Sequence, residues 1–235
     1  FFIKGLCGFA NTLIFNGILS YTANNINISP LEVVLGYPSN IILVWKERKS
    51  LNWKIWLPLT ALVVAGSIPG IFLLKHTDAG LLKVIFGIAV IVIGVEMLFR
   101  EMKSNRESSN RKPGGSKLVL VLIGIISGLL CGLYGVGALL AAYVSRVAEN
   151  SHEFKANICV VFVVENTIRI ILYVATGILT LSVLKQVVIL IPFMLAAVFL
   201  GMKSSSVLNE KIIKKIVIVL LILSGIVLII NNIPR

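Results

Sequence analysis

One polar stretch, REMKSNRESSNRKPGGSK at residues 100–117, divides this chain of 235 residues. It combines serine, asparagine and charges of both signs with Pro-Gly-Gly, a composition typical of a flexible loop. On either side the chain consists of long apolar blocks. Hydrophobic residues make up 57% of the chain and charged residues only 14%, whereas about a quarter of a soluble domain is charged. The sequence therefore predicts an all-α integral membrane protein, because an open sheet would leave backbone groups unpaired in lipid.

Eight apolar blocks flank the loop as candidate spans, judged against the roughly 20 apolar residues that a membrane-crossing helix needs. The first half holds residues 1–20, 31–45, 55–74 and 81–99, and the second half holds residues 118–144, 155–176, 182–202 and 212–231. We predict two four-helix units, residues 1–99 and 118–235, joined by the loop 100–117. A multi-pass protein of the cell membrane, of the bacterial plasma-membrane type, is expected.

The two units resemble each other in sequence. LCGFANTL (6–13) aligns with LCGLYGVGALL (130–140), and the third and fourth spans align with the seventh and eighth. The alignment matches Gly8 with Gly132, Gly70 with Gly201, Lys83 with Lys214, and Gly94 with Gly225. Because four spans is an even number, both units are expected to enter from the same face. This predicts parallel repeats whose first helices are broken or kinked at the glycines.

Basic side chains are predicted to favour one face of the membrane. The connections between spans 2 and 3 and between spans 4 and 5 hold Lys46, Arg48, Lys49, Lys54, Arg100, Lys103, Arg106, Arg111, Lys112 and Lys117. The opposite face is expected to hold Lys75, Arg146, Lys155, Lys203 and Lys211. Cytoplasmic loops carry an excess of Lys and Arg, so the first face is predicted to be cytoplasmic, with both termini outside. These loops explain the net charge of +12, and no nucleic-acid partner is predicted.

Two full charges interrupt the sixth span, VFVVENTIRIILYV at residues 161–174. Glu165 and Arg169 are four residues apart and share a helix face. A charge at the bilayer centre costs about 2.5 to 3.5 kcal/mol on insertion scales, so these residues need a partner or a wet cavity. Either they neutralise each other and brace the bundle, or their face lines a translocation path. In the second case Arg169 would attract an anion. Glu165 would then either hold the Arg169 side chain in place while the site is empty or carry a proton.

Glycines and amides form a second group of candidate binding residues. Breaks at Gly8, Gly132 and Gly135 could each create a half-helix N-terminus, which binds anions through backbone N–H groups. Close helix packing through small residues is the alternative. Nearby side chains could donate hydrogen bonds at the same level: Asn11, Thr12 and Tyr134. In the second span, Ser39-Asn40 aligns with Glu165-Asn166, so Asn40 and Asn166 are candidate equivalents.

The remaining polar residues suggest no catalytic chemistry. Cys7, Cys131 and Cys159 lie in or beside apolar segments without CxxC spacing, which predicts small buried side chains. Glu32 and Glu96 are predicted to be interfacial, and His76 and Asp78 to lie in a solvated loop. The start lacks a basic leader and an Ala-x-Ala site, so no cleavable signal is predicted. Neither an enzymatic activity nor a cofactor or metal site is predicted.

The Gly-rich first span of each unit, together with GSIPGIFLLKHTDAGLLKVIFGIAVIVIGVEML (66–98), resembles the sulfite exporter TauE/SafE family. The resemblance covers residues 5–229. The first unit departs from the family's Gly-rich pattern, with Asn11 where the second unit has Gly135. The resemblance implies a secondary transporter of small anions such as sulfite, sulfonates and related organosulfur acids.

Three functions are compatible with these patterns. The leading prediction is alternating-access transport of a small anion around a midplane site between the units, with export as the expected direction. Coupling to protons or sodium and assembly as a homodimer are both open. A non-transporting membrane subunit of a complex is the first alternative, and transport of another small solute, such as an amino acid or a cation, is the second.

Overall fold

The structure is a computed structural model of the chain. It describes residues 1–19, 25–76, 117–134 and 137–209, together with scattered helical positions between 84 and 99 and between 212 and 230. All regular elements in these ranges are helical. They are α1 (Phe2–Cys7), α2 (Asn11–Leu19), α3 (Asn25–Glu47), α4 (Trp53–His76), α5 (Lys117–Tyr134), α6 (Ala138–Val147), α7 (Ser151–Ala175) and α8 (Leu181–Val207). A short 3₁₀ turn, Arg48–Ser50, joins α3 to α4.

Four helices of the described ranges are long and apolar enough to cross a membrane. The candidate spans are Ile28–Ser50, Trp53–Phe72, Ser151–Ala175 and Leu181–Val207. These are the second, third, sixth and seventh spans predicted from the sequence. The loop 100–116, Lys83, Lys214, Glu96 and Asp78 lie outside the described residues, so the predictions for them stay predictions.

The first predicted span does not form one helix. It is split into α1 and α2 at Gly8 and Ala10, whose φ angles of 88° and 71° turn the backbone into the left-handed region. The ring centroids of Phe1 and Phe15 are 6.0 Å apart, although a continuous helix would separate these residues by about 21 Å. The two short helices therefore fold back on each other as a hairpin.

The relation between the halves differs from the parallel repeat that the sequence predicts. Helices α3 and α7, which are equivalent in that alignment, run antiparallel. Ser29, near the start of α3, contacts Tyr173 near the end of α7, and Glu47, at the end of α3, contacts His152 at the start of α7. The parallel relation is therefore wrong for this pair of helices.

The physical reason is that the fifth predicted span also turns back. Helix α5 runs parallel to α4, because Gly66 packs against Gly128 and Gly70 packs against Gly132. Helices α4 and α7 start at the same face. Because α5 runs parallel to α4, it also starts there, and α6 returns the chain to that face before α7 begins. A hairpin of this kind contributes no crossing between α4 and α7.

The described basic residues gather at one face more strongly than predicted. Lys46 donates to the carbonyl of Met202 at 3.5 Å, and Lys155 donates to Ser205 at 2.5 Å. These contacts place the end of α8 and the start of α7 beside the end of α3. The prediction that Lys155 and Lys203 lie opposite Lys46 is therefore wrong. We define the basic face by Lys46, Arg48, Lys49, Lys54, Lys155 and Lys203.

Candidate functional site

Buried polar side chains gather at mid-depth between the first hairpin, α3 and α7. We call this group the central cluster. Its members come from four helices and are each less than a tenth exposed: Lys4, Asn11, Thr12, Glu32, Ser39, Asn40, Glu165, Asn166 and Arg169. Along α7, Glu165 lies about 21 Å from the end at the basic face and about 15 Å from the other end. Ionisable residues at this depth are candidates for function by default.

Three polar groups converge on the bare Cα of Gly36 in the middle of α3. A Cβ at Gly36 would lie 3.2 Å from Glu32 Oε1, 3.5 Å from Lys4 Nζ and 3.8 Å from Asn166 Nδ2. Lys4 also donates to the carbonyl of Gly36 itself at 3.4 Å. The absent side chain therefore leaves a small space that is faced by an ammonium group, an amide N–H group and a carboxylate.

Glu32 is part of the central cluster and is not interfacial, contrary to the sequence prediction. Its Oε1 accepts hydrogen bonds from Asn11 Nδ2 at 2.7 Å and Thr12 Oγ1 at 2.6 Å. Asn11 and Thr12, the first two residues of α2, were predicted to donate to a substrate. In this structure their donors are directed at Glu32 instead, and they fasten the hairpin to α3.

Arg169 is held by neutral partners. Its Nε donates to the hydroxyl of Tyr173 at 3.0 Å, and its Nη2 donates to Ser29 Oγ at 2.5 Å. The two hydroxyls are 3.0 Å apart and complete a triangle. Both Glu165 and Arg169 are described, and the structure places no ion pair between them. The interpretation of a pair that simply neutralises itself is therefore not supported, because Arg169 instead ties α7 to α3.

Glu165 is the less satisfied of the two deep carboxylates. It is 1% exposed, and its Oε1 has no hydrogen-bond partner among the described residues. Arg169, Glu32 and Lys4 are near enough to act on it electrostatically. With every group ionised, the two cations and the two carboxylates of the cluster balance to zero net charge. The first half therefore also carries deep charges, Lys4 and Glu32, which the sequence comparison overlooked.

The amide residues of α3 and α7 occupy different environments. Asn166 reaches the space at Gly36, whereas Asn40 is fully buried and neither atom of its amide has a partner among the described residues. Ser39 donates to the carbonyl of Gly36 at 2.6 Å within its own helix. The structural equivalence of Asn40 and Asn166 stays a prediction.

The predicted glycine sites fall into two kinds. Gly8 lies at the break of the first hairpin, where its carbonyl accepts from Cys159 Sγ at 3.4 Å. Gly132 lies inside α5 and packs against Gly70, so close packing is its role here. Tyr134 is the last residue of α5, with no description of its side chain, and Gly135 lies outside the described residues.

The helix ends in the two units have a different spacing from that of the sequence alignment. Helices α1 and α5 end at Cys7 and Tyr134, and helices α2 and α6 begin at Asn11 and Ala138, so both pairs are 127 positions apart. The sequence alignment matches Gly8 with Gly132 at an offset of 124 positions, which follows the Leu-Cys-Gly letters. The equivalence of the two units stays a prediction.

A set of contacts closes the basic face below the central cluster. His152 Nδ1 lies 2.8 Å from Glu47 Oε2, and Asn52 Nδ2 donates to Glu153 Oε1 at 2.9 Å. The Asn52 backbone N–H donates to Asn157 at 3.0 Å. On the opposite side of the cluster, the triangle of Ser29, Arg169 and Tyr173 joins the same two helices. The space at Gly36 therefore lies between two sets of contacts that link α3 and α7.

The cysteines are buried, as predicted, and none of the three is in a disulfide bond. Among the described residues, no three or more His, Cys, Asp or Glu side chains are grouped so that they could hold a metal ion. Sequence analysis missed Lys4, Ser29, Gly36 and Tyr173. Only Lys4 gave a signal in the sequence, as a charge inside the first apolar block.

Comparison with known proteins identifies a family. The model of the family described as sulfite exporter TauE/SafE matches residues 1–228 of the chain. Searches of curated proteins and of solved structures give no significant match.

Proposed function

The chain belongs to the sulfite exporter TauE/SafE family of membrane transporters, and on that premise we propose that it is a secondary transporter of a small anion. Sulfite, sulfonates and related organosulfur acids are the proposed substrate class, with export as the proposed direction. The mechanism is alternating access around the space at Gly36, between the two halves of the chain.

The convergence on Gly36 carries this proposal. Lys4 Nζ and Asn166 Nδ2 face one small space from two helices, and an oxyanion with several acceptor oxygens can accept from both. Charge-assisted hydrogen bonds of this kind are roughly twice as strong as neutral ones. The ammonium group of Lys4 also provides positive charge at this point, although Glu32 Oε1 faces the same space.

The other members of the cluster support the site at a distance. We propose that Asn11 and Thr12 hold Glu32, and that Glu32 keeps Lys4 near Gly36. Arg169 adds positive potential, while its hydrogen bonds hold α7 against α3. Gly8 permits the turn that carries Lys4 inward. Ser39, Asn40, Gly132, Tyr134 and Gly135 complete the proposed surroundings of the translocation path.

Alternating access requires two closures that open in turn. The contacts of Glu47 with His152 and of Asn52 with Glu153 are the proposed closure at the basic face, which we assign to the cytoplasm. The triangle around Arg169 is the proposed closure on the other side. The contact of Glu47 with His152 and the triangle both join α3 to α7, so a tilt of one helix against the other would open one closure and keep the other.

The test is flux in liposomes that contain the purified protein and no partner. Labelled sulfite loaded inside should leave faster than from empty liposomes, and unlabelled sulfonates should compete. Lys4→Gln should slow the efflux at least about tenfold, the effect of losing one charge-assisted hydrogen bond. Lys203→Gln is the matched control, because Lys203 is an exposed lysine of α8, and it should transport normally. Equal fluxes for protein-containing and empty liposomes would overturn the proposal.

A further inference from the structure

The two deep carboxylates differ in what their oxygens contact. Glu32 Oε1 accepts two hydrogen bonds from Asn11 and Thr12, which suit an ionised carboxylate. Glu165 Oε1 is buried without a partner in the described part of the chain. A carboxylate oxygen buried in this way lacks the compensation that burial of a charge requires. Of the two residues, Glu165 is therefore the one prepared to take up a proton.

Proton uptake by Glu165 and anion binding are linked through the net charge of the cluster. Glu165 is faced by Arg169 on its own helix, by Glu32 on α3, by Lys4 on α1 and by Cys131 on α5. The four ionised groups sum to zero. Binding of a monovalent anion would leave one uncompensated negative charge at the centre of the membrane, which is strongly disfavoured. A proton on Glu165 would restore neutrality.

From this arrangement, and resting on the proposed function, we infer that Glu165 Oε1 binds a proton that is transported together with the anion. The occupied cluster, with anion and proton, is neutral, and so is the empty cluster. A cluster with only one of the two ligands carries a net charge. Because only the neutral forms can change access cheaply, one proton moves in the same direction as each monovalent anion. The proton leaves Oε1 when the anion leaves Lys4, and no covalent bond is made or broken.

The experiment uses the purified protein in liposomes that contain a pH-sensitive dye, with the voltage clamped by valinomycin and potassium. Labelled methanesulfonate is the probe, because its sulfonate group does not bind protons near neutral pH. An inward gradient should move the label and acidify the lumen, with one proton per anion, and without a requirement for sodium. The half-saturating concentration of the wild-type protein should rise with pH, because deprotonation of Glu165 removes the compensating proton.

Glu165→Gln is the decisive variant, because glutamine mimics the protonated acid permanently. It should still exchange labelled for unlabelled methanesulfonate with a half-saturation that no longer depends on pH, while anion-driven acidification is lost. Glu149→Gln is the matched control, since Glu149 is an exposed acid next to α7, and it should remain fully coupled.

Two outcomes separate this inference from the proposed function. If the wild-type protein moves no label, the proposed function fails. If it moves label without lumen acidification, or only with sodium, the function stands and proton coupling is wrong. If Glu165→Gln does not fold, the direction of net flux through the wild-type protein decides alone. At clamped voltage, net flux of label must stop when a methanesulfonate gradient is opposed by an equal and opposite proton gradient, and a flux that ignores the pH gradient would overturn the inference.

Discussion

Replacement of Gly36 by alanine tests whether the space above this residue receives the anion. The added methyl group would lie 3.2 Å from Glu32 Oε1, 3.5 Å from Lys4 Nζ and 3.8 Å from Asn166 Nδ2. All three neighbours are ends of flexible side chains, which can withdraw by a few tenths of an ångström. The fold should therefore accept the methyl group, whereas an anion bound in the same place should not.

The magnitude follows from the hydrogen bonds that the methyl group would block. An anion oxygen bonded to Lys4 Nζ would sit about 2.8 Å from it, within the volume of the added methyl group. Loss of one hydrogen bond to a charged group costs about 1.5 to 3 kcal/mol. Since about 1.4 kcal/mol corresponds to a factor of ten, the affinity should fall roughly ten- to 150-fold. Stability should be kept or raised, because alanine favours a helix by about 1 kcal/mol over glycine.

The assay compares half-saturation of methanesulfonate exchange in liposomes with thermal unfolding in detergent. Gly66→Ala is the matched control, because a Cβ at Gly66 would meet the backbone of α5 at Ile125 and Leu129. That variant should lose stability, whereas Gly36→Ala should lose affinity without losing stability. Unchanged half-saturation in Gly36→Ala would refute the placement of the anion at this residue.

Three further variants test the surroundings of the site. Arg169→Lys should slow transport and lower the unfolding temperature, because one ammonium group cannot reproduce the planar, directed bonds to Tyr173 and α3; equal stability in both proteins would show that the triangle is unimportant. Gly128→Val should force α4 and α5 apart and destabilise the protein in detergent, whereas Ala65→Val on the exposed side of α4 should be nearly neutral; similar unfolding temperatures would contradict the close packing. Asn150→Ala should cost about 1 kcal/mol by removing the N-cap of α7, measured by denaturant unfolding; no loss would mean that water replaces the cap.

The long spans of the fold were predictable because hydrophobic length is a local property. The blocks 31–45, 55–74, 155–176 and 182–202 correspond to α3, α4, α7 and α8 within a few residues at most ends. The break of the first span at Gly8 was predicted from its glycines and is confirmed. That its two pieces turn back was not predictable, because hydropathy does not distinguish a helix that crosses from two short helices that form a hairpin. This ambiguity led to the wrong relative direction of α3 and α7.

The central cluster was predictable only in part. Glu165, Asn166 and Arg169 stood out because charges and amides are rare in the middle of an apolar run. Lys4 and Glu32 lie near the ends of their apolar blocks, where a charged residue normally reaches the interface. The turn at Gly8 carries Lys4 inward, and the bonds from α2 hold Glu32 at depth. Such placement depends on tertiary contacts, which the local pattern of a single sequence does not reveal.

The most direct measurement locates the anion itself. Selenite is a close analogue of sulfite, and anomalous diffraction from selenium would mark its position in crystals of the protein. We predict a peak beside Gly36, with selenite oxygens within about 3 Å of Lys4 Nζ and of Asn166 Nδ2, and no peak there in Lys4→Gln. A peak only at Arg169, or only at the basic face, would contradict the assignment of the space at Gly36 as the anion site.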